Sequence, residues 1–174
     1  MNDELVDAAT LNLERAERLI ELLDQPSYSN SNAGPYYSSI GGHLRHVLDI
    51  FACIIRDVES RVVDLTDRRR GAIAETEPQE ALKYLNSVIQ GLSGLTEVDP
   101  STTVTIVDDL GFGKTKIPST LGAALCQAHS HAIHHFACIG YLLHLQGIEL
   151  PDRRFGYNPT TPPTTPIQET RATR

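Results

Sequence analysis

The chain of 174 residues has no tryptophan, a single methionine and three cysteines. Cys53, Cys126 and Cys138 are odd in number, far apart and form no CxxC. That excludes a disulfide framework and suits a reducing compartment. Positive charge is in deficit, with 15 Lys+Arg against 22 Asp+Glu and a formal charge of −7. A binder of nucleic acid through phosphate contacts needs the opposite balance, so no nucleic-acid partner is expected. No apolar run approaches the roughly 18 residues of a membrane-spanning helix, so no membrane partner is expected either. The start, MNDELVDAATL, is acidic from its third residue and does not read as a signal peptide, which places the expected location in the cytoplasm. There is no internal repeat. What is present, 40% hydrophobic and 21% charged residues, is the composition of one ordinary globular domain.

Proline interrupts helices beyond their first turn, so stretches without it mark where helices lie. Residues 3–24 place Leu5, Ala9, Leu13, Ala16, Ile20 and Leu23 at three- and four-residue spacing, an amphipathic helix. QPSYSNSNAGPYYSS reads as a turn-rich loop. A second helix is expected from an N-cap at Ser38 or Ser39 to about Asp64, followed by a polar connection, TDRRRGAIAE. Thr76-Glu-Pro-Gln79 has capping-box spacing and opens a third helix that ends around Gly91 to Gly94. TTVTIVDDLGFGKTKIP alternates β-branched residues about a glycine turn, a small hairpin. Ser119 or Thr120 caps a fourth helix that Gly147 stops. The expected fold is therefore all-α, a four-helix bundle over residues 1–158 with a small β-hairpin before the last helix. Residues 159–174 hold four Pro and six Thr and are expected to form a flexible tail.

All seven histidines fall within residues 43–46 and 129–144. With about 100° per residue, His135 lies about 40° from His131, while His129 and His144 point to the far side. His131 and His135 are thus an i, i+4 pair, the spacing by which one helix offers two imidazoles to one metal ion. Their flanks, AIHHFACIGYLL, are apolar, and imidazole buried there must be satisfied by something. His46, in the equally apolar second helix, offers a third ligand. Two ligands from one helix and one from another make a three-histidine site with an open position. Zn²⁺ suits three imidazoles best, with Ni²⁺ and Fe²⁺ also compatible. A di-iron carboxylate centre needs Glu-x-x-His, and no Glu stands three residues before any His.

SSIGGHLRHVLDIF, HSHAIHHFACIGYLLHLQGIELP and FGYNPTT together resemble the DinB/YfiT-like superfamily, over most of residues 1–160. The resemblance implies an up-down-down-up bundle holding a divalent metal through His46, His131 and His135. It also implies a metal-dependent thiol transferase or an isomerase acting on a small molecule, with a low-molecular-weight thiol as the partner. Where many members continue HHxGQ, this chain has HHFAC, with Cys138 in place of the Gln.

Asp49, one turn after His46, is a candidate to orient an imidazole or act as acid/base, with a plain solvent-facing role as the alternative. His43 and His134 are expected as neighbours of the site, His129 and His144 as surface residues. Cys53 and Cys138 read as packing residues rather than ligands. Arg68, Arg69 and Arg70 are either a solvated run or a receiver of an anionic substrate. Phe155 and Tyr157 are expected to pack the chain's return. GFGK at 111–114 lacks a phosphate loop's context. The alternative to an enzyme is a non-catalytic metal-binding bundle, and a homodimer is compatible with either reading.

Overall fold

The amphipathic stripe of the first segment folds as α1 (Asp3–Leu22), burying Val6, Ala9, Leu13, Ala16, Leu19 and Ile20. The structure is a computed structural model that describes residues 3–68 and 72–162. A short helix, α2 (Gln25–Ser29), follows where a loop was expected. Asp24 caps it by accepting from the Ser27 backbone N–H at 2.9 Å, and Pro26 sits in its first turn. Tyr28, fully buried, donates its hydroxyl to the Ala74 carbonyl at 2.7 Å. That bond ties α2 to a 3-10 turn at Ile73–Glu75.

Ser39 caps α3 (Ile40–Asp57), accepting from the Gly42 N–H at 3.0 Å. Gly41 is required by close approach, because a Cβ there would run into the Glu75 carbonyl and the Tyr28 ring. The helix stops at Asp57, seven residues before the expected end. Arg61 takes a positive φ of 59°, and the Asp57 carboxylate accepts from the Asp64 N–H at 3.1 Å. Val62 and Val63 are then free to extend as β1 (Val62–Asp64).

Glu77 stands at the N-cap of α4 (Pro78–Ser93) and makes no side-chain cap. The expected capping box is absent, because Thr76 belongs to the preceding turn and donates to the Ile73 carbonyl at 3.3 Å. The hairpin is present as β2 (Thr103–Asp109) and β3 (Lys114–Thr120), antiparallel, with Ile106 opposite Ile117. Gly111 and Gly113 have positive φ, and both donate to Asp109 Oδ1. Thr120 caps α5 (Leu121–Leu145). Gly147 ends it with φ of 70°, the Ile148 N–H reaching the Leu143 carbonyl at 2.9 Å.

The expected all-α bundle is thus corrected. Among the described residues there are five helices and a three-stranded mixed sheet, in the order β1-β2-β3. β1 runs parallel to β2, with Val63 opposite Ile106, and the pair buries Val63 from β1 and Val104 and Ile106 from β2 in the common core. The four long helices pack as α1 on α4 and α5, and α3 on α4 and α5. The sheet lies against α3 and α5. No described helix is long and apolar enough to cross a membrane. Phe155 stacks on Phe136 with centroids 5.0 Å apart, so the chain returns across α5 as expected, while Tyr157 stays partly exposed. Of the expected tail, residues 163–174 lie outside the described residues.

Candidate metal centre

The packing of α3 on α5 brings His46, His131 and His135 together. One ring nitrogen of each lies within 4.8 Å of the others, an arrangement that can hold a metal ion. The rings of His131 and His135 are 4.4 Å apart, as their shared helix face requires, and His46 sits 4.9 Å from one and 4.7 Å from the other. Two further side chains hold these rings. His43 Nδ1 lies 2.7 Å from His135 Nδ1, and His43 Nε2 lies 3.0 Å from Ser38 Oγ. With its Nδ1 engaged, His135 has Nε2 left for an ion. On the other side, Arg68 Nη1 is 3.0 Å from His46 Nδ1. A guanidinium can only donate, so His46 Nδ1 accepts, and the ring's proton sits on Nε2. That proton is donated to His131 Nε2, 2.9 Å away.

The electrostatics favour neutral imidazoles, the form that ligates. Burial pushes His46 down to about 4, helped by His131 and Arg68. Burial pushes His135 down to about 3, helped by His131 and His46. His131 and His43 are lowered in the same way, burial first and the neighbouring His134 second. The donor set therefore fits a divalent ion that accepts nitrogen ligands. No cysteine or carboxylate joins the three as a fourth ligand among the described residues. Cys53 is buried, its thiol pushed up to about 11 chiefly by burial, and it donates to the Asp67 carbonyl at 3.6 Å. Cys138 is half-buried and Cys126 exposed.

No family model matches the chain, and no curated protein matches it.

Asp49 hydrogen-bonds to no imidazole among the described residues. It is buried, accepting from Arg45 Nη1 at 2.6 Å and from the Tyr84 hydroxyl at 2.9 Å. Arg45 Nε in turn lies 2.8 Å from Glu75. These contacts link α3 to α4 and to the turn at 73–75. His129 is not a plain surface residue, since its Nδ1 lies 3.3 Å from the buried Asn12. His134 is exposed, its ring edge-on to His135 at 5.5 Å, and His144 is exposed. Of the three arginines, Arg68 reaches the site, whereas Arg69 and Arg70 lie outside the described residues. The contact of Arg68 with His46 had no local signal: β1 and the turn after it carry this arginine to a histidine 22 residues earlier.

Proposed function

We propose that the protein binds one divalent metal ion through His46, His131 and His135 and uses it on a small molecule. The observation that carries this reading is the convergence of three neutral-favoured imidazoles from two helices without a fourth protein ligand among the described residues. A closed structural site takes four protein ligands, whereas a site that works on a substrate keeps a position free. When bound, the ion supplies Lewis acidity, lowering the pKa of a coordinated thiol or water and polarising a carbonyl. The chain's own residues do the rest. His43 orients His135. A cavity of about 210 Å³ adjoins His46 and His131 and gives a small molecule a partly apolar seat. Zinc is the metal that three imidazoles suit best, with nickel and iron compatible.

One histidine on an early helix and an HxxxH on the last is also the pattern that supports kinship with the DinB/YfiT-like superfamily. Under that kinship the reaction is thiol transfer or isomerisation, with a low-molecular-weight thiol as co-substrate. The test is metal analysis of protein purified without a histidine tag, beside the His131→Ala/His135→Ala variant. Stoichiometric metal in the native chain and none in the variant is expected, and equal contents in both overturn the site. A screen of zinc-loaded protein with low-molecular-weight thiols and an electrophilic acceptor then tests the reaction. Absence of turnover with every thiol leaves the non-catalytic reading in its place.

A further inference from the structure

Arg68 is half-buried, and its partners are unusual for a cation. Nε donates to the Leu65 carbonyl at 2.6 Å and Nη1 to His46 Nδ1 at 3.0 Å. Neither partner carries negative charge. Arg45 pairs with Asp49 and Glu75, and Arg56 with Asp57 and Asp67, whereas no carboxylate pairs with Arg68 among the described residues. Nη2 of Arg68 has no protein partner among them either. Removing a charge from water without a counter-ion is unfavourable, and a guanidinium is shaped to hold a carboxylate with two parallel hydrogen bonds.

This cation lines the cavity that also touches His46 and His131. The rest of the wall is largely aliphatic, with Ile50, Ile54, Leu65 and Ile106. Its volume of about 210 Å³ suits a small molecule. The wall's one carboxylate, Asp108, accepts from the Asp109 N–H at 2.9 Å and would repel a second negative charge.

We infer that the cavity receives a small monocarboxylate, its carboxylate paired with Arg68 and its short apolar body against Ile50, Ile54, Leu65 and Ile106. Rejection of doubly charged ligands follows from Asp108. The inference deepens the proposed function by naming the class of molecule held next to the three histidines, and it rests on that reading only for what the ion does there.

The probe is butyrate, with butyramide as its neutral counterpart and succinate as the doubly charged one, titrated calorimetrically into the full metal-free chain. Butyrate should bind, and butyramide and succinate should bind at least tenfold more weakly, the worth of one hydrogen bond to a charged group. Arg68→Gln should lose butyrate binding by a similar factor, and Arg68→Lys, which keeps the charge, by less. In the unmodified chain, butyrate should shift the methyl resonances of Ile54, Leu65 and Ile106, a readout that needs no variant to fold. Unshifted methyls, equal affinity for butyrate and butyramide, or butyrate binding that survives Arg68→Gln in folded protein each overturn the inference. Because these titrations use metal-free protein, they can fail while the metal reading stands, and the metal analysis can fail while they succeed.

Discussion

His43 Nδ1 and His135 Nδ1 stand 2.7 Å apart, a contact between residues 92 positions distant in the chain. One nitrogen must carry the proton, and when His135 carries it, His43 can pass its own Nε2 proton toward Ser38 Oγ at 3.0 Å. That arrangement fixes the tautomer in which His135 Nε2 is free to ligate.

Loss of such a partner commonly weakens metal binding by about 10–100-fold. His43→Phe should therefore weaken zinc binding by that order while leaving its stoichiometry at one ion. Competition against a chromophoric chelator measures it, and an unchanged affinity would show that His43 does not position His135.

Arg68 acts in the opposite direction. It holds His46 in the tautomer whose Nε2 carries a proton, and that proton must leave before this nitrogen can bind an ion. Removing the contact removes a hydrogen bond worth ~1.5 kcal/mol, so Arg68→Met should tighten zinc binding roughly tenfold. The same chelator competition decides it, and a weakened affinity would contradict the tautomer assignment.

Acid should destabilise the metal-free fold within a definite window. The unfolded chain protonates His46 and His135 near 6.5, whereas burial holds them down to about 4 and about 3 in the folded chain. The unfolded state therefore binds more protons between those values, and stability falls as pH falls through them. Above about 6.5 this contribution is fully present. The urea midpoint should decline from pH ~6.5 downward, less steeply in His46→Gln/His135→Gln. Equal slopes in the two proteins would rule out these histidines as the cause.

Asp49 is predicted to stabilise the fold rather than the chemistry. Asp49→Ala removes the buried partner of Arg45 and the carboxylate that accepts the Tyr84 bond at 2.9 Å. Breaking a buried ion pair from one side costs about 3 kcal/mol or more, read from urea denaturation. Zinc affinity should stay as in the native chain, and a large drop in it with little loss of stability would return Asp49 to the site.

At Gly41 a methyl group has nowhere to go, between the Glu75 carbonyl and the Tyr28 ring. Gly41→Ala should destabilise by about 1–3 kcal/mol. A melting temperature equal to that of the native chain would show that α3 can shift away at no cost.

The three histidines were legible in the sequence because helical rotation alone puts His131 and His135 on one face, and apolar flanks put that face inward. His46 followed from the same reasoning on a second helix. The sheet was not legible as a sheet. Val62 and Val63 continue the apolar pattern of α3, and what turns them into a strand is the positive φ of Arg61 together with a parallel neighbour some forty residues later. Period-based reading sees the hairpin of β2 and β3, whose partners are adjacent, but not a pairing of that range. With β1 unseen, the contact of Arg68 with His46 was invisible as well. The short helix α2 did leave a signature, Asp24 as cap with Pro26 in the first turn, but a single turn and a half carries no periodicity.

Two of the three clustered histidines belong to α5, the last helix among the described residues, and the third to α3, 85 residues before His131. During synthesis, α3, the sheet's first strand and α4 emerge while His131 and His135 are still unmade. A nascent chain carries only one of the three imidazoles until residue 131 has been made. The three imidazoles meet only once α5 has docked on α3, so an ion held by all three would report that contact and not the helices made before it.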